Sequence, residues 1–148
     1  LMTTSSSKAV GDAVGNIPGQ AIEKDMFKSA SAVLDKCKQD AHCYVTVLDT
    51  PVPSTPPTAK MGHVKAAWMA AIYGNNATRD DLVSRVDKVK DSSVRLAMVE
   101  AIDHLSPQGD AATADKLQAV VDADKKAGVK YADDEVYKVA LKLRSRLP

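Results

Sequence analysis

The chain has 148 residues, 45% of them apolar and 26% charged, with a formal net charge of +1. That length fits a single domain, long enough to bury about 68–70% of its unfolded surface. So even a charge balance argues against a nucleic-acid partner, whose phosphates are neutralised by many Lys and Arg. No apolar run approaches the roughly 18 residues of a membrane span.

Aromatic residues are scarce, with one Trp, one Phe and four Tyr, while alanine is abundant. The core is therefore expected to come from closely approaching helices with small contacts. The stretch from Leu1-Met2 to Ser5-Ser6-Ser7 has neither the basic n-region nor the apolar h-region of a signal peptide. A Leu ahead of the Met is what a trimmed or internal fragment would carry, and disorder is expected over 1–7.

A first helix is expected around 8–15, weakened by Gly11 and Gly15, each costing about 1 kcal/mol relative to Ala. Pro18-Gly19 separates it from a helix over about 20–38, where Ile22, Met26, Ala30, Val33, Leu34 and Cys37 share a face. Asp40 is a natural N-cap for the next segment. Cys43 to Leu48 is β-branched and partly alternating, the one strand candidate. Tyr44, Val45 and Leu48 also fit a helical face, and the segment is read as a helix. The stretch 50–59 follows, with Pro51, Pro53, Pro56 and Pro57. Proline removes backbone donors and clashes with preceding carbonyls, so this is an extended surface loop. It serves as a plain connector or as a Pro-motif ligand.

Beyond it the pattern repeats. Val64, Ala67, Trp68, Ala71 and Ile72 fall at i, i+3, i+4, i+7 and i+8, the spacing of a buried helical stripe. Leu82, Val83, Val86 and Val89 form a shorter helix. Asp91 caps a longer one carrying Val94, Ala97, Met98, Ala101, Ile102 and Leu105. Leu117, Val120 and Val121 mark another short helix, and Val136, Val139, Ala140, Leu143 and Leu147 close the series. Gly74-Asn75-Asn76, Ser106-Pro107-Gln108-Gly109 and Gly128 end helices between them. The expectation is an all-α chain of about seven or eight helices, roughly 65–75% helical against an average of ~30–35%.

Val64-Lys65-Ala66-Ala67 and Val94-Arg95-Leu96-Ala97 stand 30 residues apart, and Val136-Tyr137-Lys138-Val139 follows 42 later. Each is preceded by a shorter Leu/Val helix, and a two-helix repeat of such length is the sign of a solenoid. The string Asp91-Ser92-Ser93-Val94-Arg95-Leu96-Ala97, with Ala101 and Leu105 following, resembles the second helix of a HEAT repeat, in the short form of phycobilisome-lyase-like proteins. The resemblance covers about 61–148 well and 20–60 loosely. It implies an α-α superhelix, a HEAT-like solenoid of about four antiparallel helix pairs over 1–148. Asp91 and Asp133 fall at the family's Asp position, where the preceding repeat has Met61. The Arg position holds Lys65, Arg95 and Tyr137, so an inter-repeat Asp–Arg ladder would be incomplete. Apolar residues outside the stripe (Ala66, Met69, Leu96, Val99, Leu141) match helices touched on several sides. An ordinary helical bundle is the alternative.

No nucleophile motif, P-loop or dinucleotide fingerprint is present, and His42, His63 and His104 share no ligand spacing. Cys37 and Cys43 flank the turn between two predicted helices. They form a disulfide, which belongs to an oxidising compartment, or remain two buried thiols. A zinc site with His42 lacks a fourth ligand.

The function expected is that of a non-enzymatic scaffold or adaptor without cofactor or metal, in a bacterial envelope or secreted, with the cytoplasm as the alternative. The family resemblance also implies an accessory enzyme of the bilin-lyase type, and a structural fragment of a longer solenoid is a third reading. In HEAT-like stacks the second helices line the concave face. Lys65, Arg95, Asp103, Lys138 and Lys142 would then face outward, with Tyr73 and Tyr137 nearby, as the partner-binding surface. Basic groups prevail in that set, which would suit a protein partner with an acidic patch.

Overall fold

The computed structural model describes residues 18–145, with side-chain environments from Lys28 onward. The expected helix at 8–15, the disorder over 1–7, the side chains of Ile22 and Met26, and Leu147 lie outside the described residues. Seven α-helices run through it: α1 (Pro18–Cys37), α2 (Ala41–Val47), α3 (Met61–Tyr73), α4 (Asn76–Val83), α5 (Ser92–Leu105), α6 (Ala111–Lys126) and α7 (Glu135–Ser145). Short 3-10 turns lie at Pro57–Lys60, Val86–Lys88 and Tyr131–Asp133, and there is no strand among the described residues.

Most helix starts are fixed by a short polar side chain that satisfies otherwise orphaned amides. The Asp40 carboxylate accepts from the Cys43 N–H at 3.2 Å, and Asp91 accepts from Ser93 and Val94 at 3.0 and 3.1 Å. Asn75 and Thr78 form a reciprocal capping box on α4. Asp110 accepts from the Thr113 N–H at 3.1 Å. At α7 the cap is Asp134, accepting from Val136 and Tyr137. Asp133, at the position matched to Asp91, closes the preceding 3-10 turn.

A correction falls between α4 and α5. The expected helix through Val89 stops at Val83; Val86 sits in a 3-10 turn and Val89 is extended. All four apolar side chains of the segment are nonetheless buried. The Val86 carbonyl accepts from Arg95 Nε at 3.2 Å, so it serves a side chain here. The strand candidate at Cys43 to Leu48 is helical through Val47, with Leu48 as the C-cap.

α1, α3, α5 and α7 pack side by side in one row, each touching the next. α2, α4 and α6 do the same more lightly in a second row, and the rows meet through α2–α3, α4–α5 and α6–α7. Between them lie the fully buried Tyr44, Leu82, Met98, Ile102, Leu117 and Leu143. With few aromatics, close approach substitutes for bulk. Ala66, Ala67 and Ala70 are buried, and a Cβ at Gly62 would stand 3.1 Å from the Ser29 carbonyl and 3.2 Å from Val33 Cγ2. Glycine there lets α3 pack tightly on α1.

Ion pairs join one helix pair to the next. Lys60 meets Asp91 at 3.4 Å and Arg79 meets Asp110 at 3.2 Å. Arg85 meets Asp49 at 2.7 Å. The Asp49 carboxyl is held below its usual range by the Arg85 hydrogen bond. Burial pushes Asp91 up, but bonds from Val94 and Lys60 outweigh it and bring that carboxyl down.

The turn from α1 to α2 is tied several times over. Cys37 and Cys43 form a disulfide with Cα atoms 5.3 Å apart. Lys38 adopts a left-handed φ of 53°, and the Tyr44 hydroxyl donates to its carbonyl. Burial, with Tyr73 adding to it, raises the Tyr44 phenol pKa, which keeps that donor protonated.

Candidate functional site

Three helices of the first row turn one face outward. On α3 that face carries Lys65, Trp68 and Ile72; on α5, Ser93, Leu96 and Glu100; on α7, Lys138, Leu141 and Lys142. Helical spacing of three and four residues aligns each set. Trp68, Ile72, Leu96 and Leu141 are 41%, 60%, 45% and 53% exposed. Trp68 and Ile72 were expected in the core. They stand opposite the small residues Gly62, Ala66 and Ala70, and those pack inward in their place.

Two grooves cross this face. One, of about 460 Å³, runs between α5 and α7 and is lined by Leu96, Glu100, Val139, Lys138, Lys142 and Glu135, with Asp103 and Asp133 beside them. The other, of about 230 Å³, lies between α3 and α5, where Trp68, Ala71 and Ile72 face Glu100, Ala101 and His104. Glu100 borders both.

The structure therefore brings together some of the expected site residues and separates others. Asp103, Lys138 and Lys142 line the same groove, and Lys142 Nζ lies 2.7 Å from Asp103 Oδ2. Lys65 flanks the neighbouring groove, its Nζ 6.0 Å from the Trp68 ring centroid. Tyr73 instead stacks on Tyr44, with centroids 6.3 Å apart, and Tyr137 stacks on Tyr131 at 4.6 Å.

Arg95 is a correction: expected to face outward, it is buried. Its Nη1 donates to Asp124 Oδ2 at 2.9 Å. Position 95 lies about 100° around α5 from the outward Leu96, and the packed neighbours enclose it. With Arg95 buried and Lys142 engaged by Asp103, the face loses the basic excess inferred from sequence. Glu100, Glu135 and Asp133, absent from the expected set, stand there with Lys138.

The buried groups carry structural roles. His63 Nε2 lies 3.0 Å from Thr50 Oγ1 and 3.2 Å from the Thr50 carbonyl oxygen. The Thr50 hydroxyl donates to Val47, so the His63 N–H is the donor that ties α3 to the loop after α2. Asp124 and Asp134 are 6% and 2% exposed and hydrogen-bond to each other. Burial first, then the neighbouring Asp124, raises the Asp134 pKa.

Among the described residues no three His, Cys, Asp or Glu side chains cluster as metal ligands. None of the described helices is long and apolar enough to cross a membrane. Comparison with protein-family models, curated proteins and solved structures returns no match.

Proposed function

We propose that this chain is a non-enzymatic protein-binding scaffold that holds its partner against the outward face of α3, α5 and α7. The observation that carries this reading is the set of four large apolar side chains, Trp68, Ile72, Leu96 and Leu141, left exposed over a well-filled core. Leaving such groups in water forgoes roughly 1.5–3 kcal/mol of burial for each fully covered side chain, which a partner can recover. The side-by-side helix pairs, with Lys60–Asp91 and Arg79–Asp110 each bridging 31 residues, support a short HEAT-like stack as the architecture. The Cys37–Cys43 disulfide supports a periplasmic or secreted setting.

The test is a protection experiment. Hydrogen exchange of the chain with and without a bound protein partner should slow in α3, α5 and α7 and leave α2, α4 and α6 unchanged. Protection confined to the second row or to the loop at 50–59 would refute the assignment of this face.

A further inference from the structure

We infer that the α5–α7 groove receives an amphipathic helix bearing an apolar anchor and Lys or Arg along its flank, an inference that rests on the protein-binding reading of this face. Charge complementarity identifies the occupant. The groove has an apolar floor, half-exposed Leu96 beside Val139. Around it stand Glu100, Glu135 and Asp133, while Lys142 is drawn to Asp103 at 2.7 Å. Lys138 is the cation that remains, so the rim is acidic and favours a cationic partner. Glu100 borders the Trp68–Ile72 groove as well, so a basic side chain meets it from either groove. The described residues offer no strand edge for an extended peptide to extend. A channel between two packed helices suits a third helix whose large side chains enter it.

Three labelled helical peptides of about 18 residues, some 27 Å long, provide the probe. They share one Leu face and differ in flanking positions, all Lys, all Gln or all Glu. Fluorescence anisotropy against the intact chain at low salt should rank them Lys, then Gln, then Glu. About tenfold should separate the extremes, and added salt should shrink that gap. The double variant Glu100→Lys, Glu135→Lys should invert the order, and Leu96→Asp should abolish binding of all three, with circular dichroism confirming that each variant folds. Equal affinities that still depend on Leu96 would overturn the cationic partner and leave the face intact. Binding indifferent to Leu96→Asp would place the peptides elsewhere and overturn the face as well. Absence of binding by any peptide overturns the helix-in-groove mode, while the hydrogen-exchange test still judges the face. Self-association of the chain that Leu96→Asp abolishes would give the groove to a second copy and overturn this proposal.

Discussion

The Arg95 guanidinium donates to the Asp124 carboxylate at 2.9 Å from a site where Arg95 and Asp124 are 7% and 6% exposed. Arg95 belongs to α5 and Asp124 to α6, and Asp134, the cap of α7, hydrogen-bonds to Asp124 in turn. One cation thus holds three consecutive helices through two carboxyl groups. Burial first, and then the neighbouring Asp124, raises the Asp134 pKa, the direction in which low-dielectric surroundings push a carboxyl group set beside another.

Removing Arg95 alone leaves a buried carboxylate uncompensated. Arg95→Leu is expected to cost about 3–5 kcal/mol in urea unfolding, and Arg95→Leu with Asp124→Leu to recover much of it. Arg95→Lys should rescue poorly, because an ammonium cannot reach the Val86 carbonyl and Asp124 with the same planar fork. A single variant costing less than about 1 kcal/mol would show that water reaches the pair.

The same network sets a pH dependence. The folded-state pKa of Asp134 is raised, by burial and then by Asp124. Its contribution is therefore fully present below the ordinary aspartate range near pH 4 and is lost as pH rises through the folded value. Asp49, Asp91 and Asp110 act oppositely, since their lowered pKa values give stability that is lost on acidification. A difference measurement separates the two. Asn at position 134 can still cap α7 and donate to Asp124 but does not titrate. Wild-type stability minus that of Asp134→Asn should fall as pH rises above about 4. A flat difference curve would assign Asp134 an ordinary pKa.

Helix existence was legible in the chain because the apolar spacing in α5, α6 and α7 is regular and the caps Asp40 and Asp91 are unambiguous. Val94, Ala97, Met98, Ala101 and Ile102 are all buried as their spacing requires. Orientation was harder to read in α3, where apolar residues run almost without interruption from Val64 to Ile72. Periodicity is weak in such a run. What distinguishes its faces is size, since Gly62, Ala66 and Ala70 mark the close-packed side and Trp68 and Ile72 the open one. Arg95 was misplaced for a related reason: an arginine reads as a surface residue until Asp124, 29 residues away, is seen beside it. The acidic rim was invisible because Glu100 on α5 and Glu135 on α7 meet only through the packing of those helices.

The disulfide closes a loop of six-residue separation at the α1–α2 turn. In the chain-entropy model such a loop contributes about 2 kcal/mol. A Cys37→Ser, Cys43→Ser variant should lose about that much, less whatever the Asp40 cap and the Tyr44 hydroxyl bond retain. Alkylation without reductant, followed by mass spectrometry of protein from an oxidising compartment, should find both thiols blocked from reaction. Two alkylated cysteines would remove the support for a periplasmic or secreted setting.

Trp68 offers a direct reading of the outward face because it is the only tryptophan in the chain. As part of a buried stripe, as its spacing implies, it would emit in the blue, resist iodide and shift strongly to the red on unfolding. At 41% exposure, with the Lys65 ammonium 6.0 Å from the ring centroid, it should instead be quenched by iodide in the folded state. The nearby cation should draw the anion closer and strengthen the effect at low salt. Trp68→Ala should cost less than about 2 kcal/mol, against the 3–5 kcal/mol typical of truncating a core aromatic. A Trp68 that iodide cannot reach, together with a loss in the core range, would mean that α3 is rotated and that this face holds no apolar docking surface.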